Sequence, residues 1–242
     1  MRRSRFLPMA LALSIAPLPA WAGPPFDTDD PEPTDFQHWE LYFFGAGARN
    51  GGAFGGSAGL DLNYGGFHDV QLTATLPVDF VRGPGARTGV GDVELGLKYR
   101  FLHDDAHGWS VAAFPRAILP TSGTRYGSGR VAFLLPVWVQ HDWGKWSLFG
   151  GGGFTINPGV GNRNYWLAAA ALTRQVTGRL SIGVEATHRG PDTVDARPTS
   201  TLGIGAIWRL KGPLSLLASA GPSFGGRDGD KYHGYVALGL SF

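Results

Sequence analysis

The sequence predicts an all-β protein: a transmembrane antiparallel up-and-down barrel of about twelve strands, behind a signal peptide. Three observations predict it. From residue 36 onward, segment after segment alternates apolar and polar side chains. The connections between segments alternate in length. Aromatic residues gather at segment ends rather than at their middles.

The chain opens with "MRRSRFLPMALALSIAPLPAWAGPP". Arg2, Arg3 and Arg5 precede an apolar stretch, and Ala20-Trp21-Ala22 forms a small-residue cleavage site. Pro17 and Pro19 break the stretch, which is too short to span a bilayer. Residues 1–22 therefore read as a secretory signal peptide, cut near Ala22; together with the barrel pattern and the terminal Phe242 they predict the outer membrane of a Gram-negative bacterium. Its removal takes three arginines, so 21 basic residues become 18 against 19 acidic ones, and the formal charge moves from +2 to −1. That balance supplies no argument for a nucleic-acid partner. Residues 23–35, "GPPFDTDDPEPTD", carry five acidic residues and four prolines without periodicity. They read as an extended, solvated linker rather than a binding or plug segment.

Residues 36–242 form the barrel. Twelve strands are expected at about 36–48, 53–64, 68–81, 90–102, 109–119, 130–141, 146–156, 164–175, 179–189, 200–210, 214–224 and 231–242. The third contains "VQLTATLPVDF", with Val70, Leu72, Ala74, Leu76, Val78 and Phe80 on one face and Gln71, Thr73, Thr75 and Asp79 on the other. In the fourth, Val93, Leu95, Leu97, Tyr99 and Phe101 oppose Asp92, Glu94, Lys98 and Arg100. In the ninth, Leu180, Ile182, Val184 and Ala186 oppose Arg179, Ser181, Glu185 and Thr187. "WLAAAALT" at 166–173 is the weakest strand, because alanine favours helix.

Connections after even strands are short, as in "GGF", "VTG" and "KGP"; most after odd strands are longer, as in "PTSGTRYGSG" and "GPDTVDARPT". A soluble sandwich has no reason for this alternation. A barrel with short periplasmic turns and long outer loops does. Its membrane-interface aromatics would be Trp39, Tyr99, Phe101, Trp109, Trp146, Trp208 and Phe242 at the periplasmic ends, and Phe80, Phe154, Tyr165 and Tyr232 at the outer ends. On this register the apolar face meets lipid. Asp61, Asp79, Asp92, Glu94, Lys98, Arg100, Arg116, Arg174, Glu185 and Arg209 point into the lumen, more charge than a soluble core tolerates.

Three stretches resemble an outer-membrane transporter family associated with the meta-pathway of phenol degradation: "GPPFDTDDPEPTDFQHWE", "TGVGDVELGLKYRF" at 88–101, and the C-terminal "YVALGLSF". The last also resembles the assembly signal of outer-membrane barrels, with Val236, Leu238 and Leu240 in phase with Phe242. The resemblance implies a barrel that moves small, in some cases aromatic, compounds, and it carries no site residues.

From the register, the residues expected to contact solute are Phe114, Arg116, Trp138, Trp166, Arg174, Arg209, Glu94 and Glu185. Flat rings would stack on the tryptophans, and the arginines would hold a carboxylate or phenolate. Expected partners are outer-membrane lipid and lipopolysaccharide, the barrel assembly machinery and a small solute. No cofactor, metal or catalytic residue is expected. The absence of cysteine excludes disulfides and thiol catalysis. The glycine-rich "GAGARNG" and "GPGARTG" lack a following helix and read as hairpin turns. His103 and His107 flank a short turn and read as solvated. The alternative is a barrel enzyme acting on lipid, of the phospholipase or lipid A deacylase type, built on His188 and Ser200, which face each other across a hairpin. A purely structural barrel is the third reading.

Overall fold

The structure is a computed structural model, and it describes residues 25–50, 53–83, 85–123, 129–225 and 231–242. The expected signal peptide, and residues 23 and 24 of the expected linker, lie outside the described residues. Fourteen β segments form one antiparallel sheet. They are β1 (Trp39–Asn50), β2 (Ala53–Phe67), β3 (Val70–Arg82), β4 (Arg87–Val90), β5 (Val93–Asp104), β6 (Trp109–Ala113) and β7 (Arg116–Leu119) in the first half. The second half holds β8 (Ala132–Trp143), β9 (Trp146–Ile156), β10 (Tyr165–Gln175), β11 (Leu180–Arg189), β12 (Thr199–Arg209), β13 (Leu214–Gly225) and β14 (Lys231–Ser241). β1 pairs with β14 from Glu40↔Ser241 onward, and β3 pairs with β5, so the sheet closes on itself.

The fourteen segments make twelve barrel strands, because two strands are broken. β4 and β5 are one strand bent at Gly91-Asp92, where the Gly91 N–H bonds the Pro77 carbonyl. β6 and β7 are another, interrupted at Phe114-Pro115; Pro115 has no N–H to give the ladder. In β5 the register slips between Arg100 and Leu102. This bulge puts Phe101 and Leu102 side by side on the exposed face, 52% and 44% exposed. The alanine run is strand β10 after all: Ala168, Ala169 and Ala170 lie opposite Gly152, Gly151 and Gly150, so pairing overrides helix propensity.

The burial pattern is inverted relative to a soluble protein. Leu76 and Ile204 are 42% and 66% exposed on the outside, while Gln71 and Lys98 are 5% and 3% exposed on the inside. An apolar outer band around a polar interior suits lipid outside and a lumen within. Trp39, Trp109, Trp146, Trp208, Tyr232 and Phe242 lie exposed at or next to strand ends, and Tyr99 is exposed within β5, opposite the first residue of β3. Tyr165 does not share their face. It pairs with the buried Thr155 and so faces inward at its rim, with the Arg189 guanidinium 5.6 Å above its ring.

Candidate functional site in the barrel lumen

Residues 25–35 are not a solvated linker. They run into the barrel as a strap, and Pro25, Thr28 and Pro31 are among the most completely buried residues of the molecule. At the rim where β1 starts and β14 ends, Gln37 donates to the Gly65 carbonyl and Trp39 to that of Phe242. From there the strap climbs inward, backwards along the chain. Thr34 donates through its N–H and hydroxyl to Gln71 Oε1, at 2.8 and 3.1 Å. Glu32 pairs with Arg100, whose Nη2 also bonds Asp69 at 2.6 Å. Lys98 Nζ donates to Asp29 Oδ1 at 2.9 Å and to the Glu32 carbonyl at 3.1 Å, and lies 3.5 Å from Asp30. Arg116 joins Asp29 through one nitrogen and Glu94 through another, the latter at 3.1 Å. The strap then crosses the lumen. The Thr28 N–H and hydroxyl both donate to Glu185 Oε1 on β11 at 2.5 Å, and Phe26 packs on Phe149 and Ala171.

Local sequence explains the placement. Lys98 and Arg100 are two residues apart on β5 and therefore share the inner face. The pairing Gly96↔Arg116 brings the guanidinium beside them. Gly96 has no side chain because Phe114 needs the room; a Cβ there would lie 2.7 Å from the Phe114 ring. That ring, 3% exposed, carries both cations, with Lys98 Nζ 5.0 Å and Arg116 Cζ 4.1 Å from its centroid. Gly205 plays the same part on the far wall, where a Cβ would come within 2.7 Å of Phe26. Burial, working against the pull of Lys98 and reinforced by Asp29 and Glu32, pushes the Asp30 carboxyl up to about 7.

The expected solute-contact residues divide. Phe114, Arg116, Trp138, Glu94, Glu185 and Arg209 lie on the inner register. Trp138 is 2% exposed, beside Ala112 on β6. Trp166 and Arg174 turn out to face the other way. β10 is phased by Ala171, which sits between Phe149 and Glu185 on the inside, so every even residue of this strand points to lipid. Trp166 lies tilted against His188, ring centroids 4.9 Å apart, and Arg174 lies over Trp146 at 5.1 Å, both on the outer face. The strap acids Asp29, Asp30 and Glu32 are the site residues the sequence reading missed. The available signal was stoichiometric: Lys98, Arg100 and Arg116 crowd one wall, and an acidic segment of the same chain stands just before β1.

His188 Nδ1 and Ser200 Oγ are 2.8 Å apart on the outer face. Among the described residues, no carboxylate bonds this histidine. His103 bonds Ser110 and Asp105, and His107 bonds Asp104, as an exposed turn cluster.

The profile of a family described as "Putative MetA-pathway of phenol degradation" matches residues 37–238. No curated protein sequence matches the chain. Among solved structures, an outer membrane channel from Pseudomonas putida F1 superposes with a TM-score of 0.66 at 17% identity, covering 87% of this chain and 99% of that one. The KdgM porin, solved with disordered oligogalacturonate, gives 0.60 at 9% identity over 84% and 99% of the two chains. The NanC porin gives 0.57 at 10% identity over 83% and 98%. At these identities the likeness is one of fold.

Proposed function

The chain belongs to that phenol-degradation family, and from this premise we propose that it is an outer-membrane channel for small solutes, aromatic or anionic ones among them, whose lumen is gated by its own N-terminal strap. The observation that carries the reading is the inverted burial: apolar side chains outside, and a charged interior whose basic wall holds a carboxylate. Twelve strands enclose an interior between that of small filled barrels and that of wide porins. A narrow, selective path fits that size. The same reading makes residues 1–22 a signal peptide, residues 23–35 the N-terminal segment whose residues 25–35 are the gate, and residues 36–242 the barrel. It places the strap's entry rim in the periplasm, and its partners are outer-membrane lipid, lipopolysaccharide and the assembly machinery.

The His188–Ser200 pair supports a second reading, a lipid hydrolase on the outer face. It lacks the third group that orients and charges the histidine. One preparation separates the two. The mature protein in a planar bilayer should give stepwise conductance and release no fatty acid from phospholipid. Hydrolysis abolished by Ser200→Ala, with no conductance, would reverse the assignment.

A further inference from the structure

We infer that Lys98, Arg116 and Phe114 form a carboxylate-binding site in the lumen, that Asp29 is its tethered occupant, and that a small carboxylate with an apolar body displaces the strap by taking Asp29's place. The inference rests on the channel reading and names the ligand chemistry of that lumen.

Asp29 spans the site as a free carboxylate would. One oxygen accepts from Lys98 and the other from Arg116, with the Phe114 ring beneath both cations. When the strap leaves, Asp30 goes with Asp29, and Glu94 is the carboxylate left in ion-pair contact with Lys98 and Arg116 among the described residues, so the site keeps a positive charge. The same inner wall holds donors the strap leaves unused. Arg116 Nε, Trp138 Nε1 and Thr155 Oγ1 are buried without a hydrogen-bond partner among the described residues. They belong to one wall: Arg116 pairs with Leu134, and Leu134 with Thr155, while Trp138 stands on the same face of β8. An unpaired buried donor costs stability, so a wall of three points to a ligand rich in oxygen. The ligand's apolar body is provided for as well. Phe114, Pro136, Ala112 and Trp138, all buried, lie on that inner wall. The incoming carboxylate takes Asp29's place between Lys98 and Arg116, while Glu94 stays on Arg116 and Asp69 on Arg100, so each buried cation keeps a counter-charge as the strap leaves.

The chain has no cysteine, which makes the test clean. Pro31→Cys puts a single thiol at a buried strap position, and Asp27→Cys puts a spin label at an exposed one. The purified full-length mature protein is reconstituted in bilayers, and benzoate is the probe, with benzamide and equimolar chloride as controls. Benzoate should raise the rate of thiol modification saturably by about fivefold or more, and mobilise the Asp27 label, while benzamide and chloride do neither. Arg116→Gln should remove the benzoate dependence. If chloride acts as well as benzoate, the effect is screening and the site is overturned. If benzoate passes through the channel while the strap thiol stays protected and the label unchanged, the displacement is overturned and the channel reading stands. If neither the parent nor a strap-deleted protein conducts, the channel reading itself fails.

Discussion

At the scale of single residues, Lys98 is the pivot. It is buried between Asp29, Asp30 and the Glu32 carbonyl. Removing one member of a buried charge set strands the others, at a cost of roughly 3–5 kcal/mol. Lys98→Met should therefore unseat the strap while the barrel, which the ladder holds, still assembles. The measurement is single-channel conductance, expected to rise, together with folded yield, expected to stay near the parent's; unchanged conductance would mean the strap is held elsewhere. Asp30 sets a pH dependence. Its carboxyl in the seated strap is pushed above the ordinary range, to about 7, chiefly by burial. A raised acid pKa favours the seated state at low pH, where the group is protonated in both states, and that advantage is lost as pH rises from the ordinary carboxylate range through about 7. Release should be easier at pH 8 than at pH 5, read as conductance, and Asp30→Asn should flatten the profile. The inward placement of Phe114, Arg116 and Trp138 was legible from alternation alone. The outward placement of Trp166 and Arg174 was not, because a run of alanines offers either face equally and only the pairing of Ala171 with Phe149 and Glu185 chooses between them.

At the scale of elements, the strap is the least regular piece of the described chain, yet it joins walls that are far apart. Lys98 and Arg116 belong to the fourth and fifth barrel strands and Glu185 to the ninth, so the strap bridges nearly opposite sides of the lumen. Its polar bonds go to side chains and its apolar anchor is small, Phe26 against Phe149 and Ala171. Such a segment can leave without breaking the ladder. Deleting residues 25–34 should raise conductance at least severalfold while the barrel keeps its heat resistance. Loss of the folded band on unheated gels would instead make the strap part of the barrel's core. The sequence pattern that reads as disorder, acidic and proline-rich, was read correctly as to its lack of helix or strand. It failed as to location, because composition reports the cost of burying charge and not whether a cationic wall exists to offset it.

At the scale of the whole molecule, the ring is closed by β1 against β14, so the end of the chain completes the barrel. Phe242 exchanges two backbone hydrogen bonds with Trp39 and lies exposed at the rim. Deleting Phe242 should lower the amount of heat-modifiable, outer-membrane protein several-fold, measured as the faster-running unboiled band. Normal yield would remove this residue from assembly. Strand number, strand order and, outside β10, the lipid-facing side were determined by the sequence alone. A strand's period of two is local, and neighbouring strands of an up-and-down barrel are neighbours in the chain, so local pattern and global topology coincide. The bend at Gly91, the phase of β10 and the seat of the strap were decided only by tertiary structure. Each depends on residues far apart in sequence: Pro77 with Gly91, Ala171 with Glu185, Asp29 with Lys98 and Arg116. A pairing between distant charges leaves no period in the chain, and it exists only once the closed barrel has brought them together.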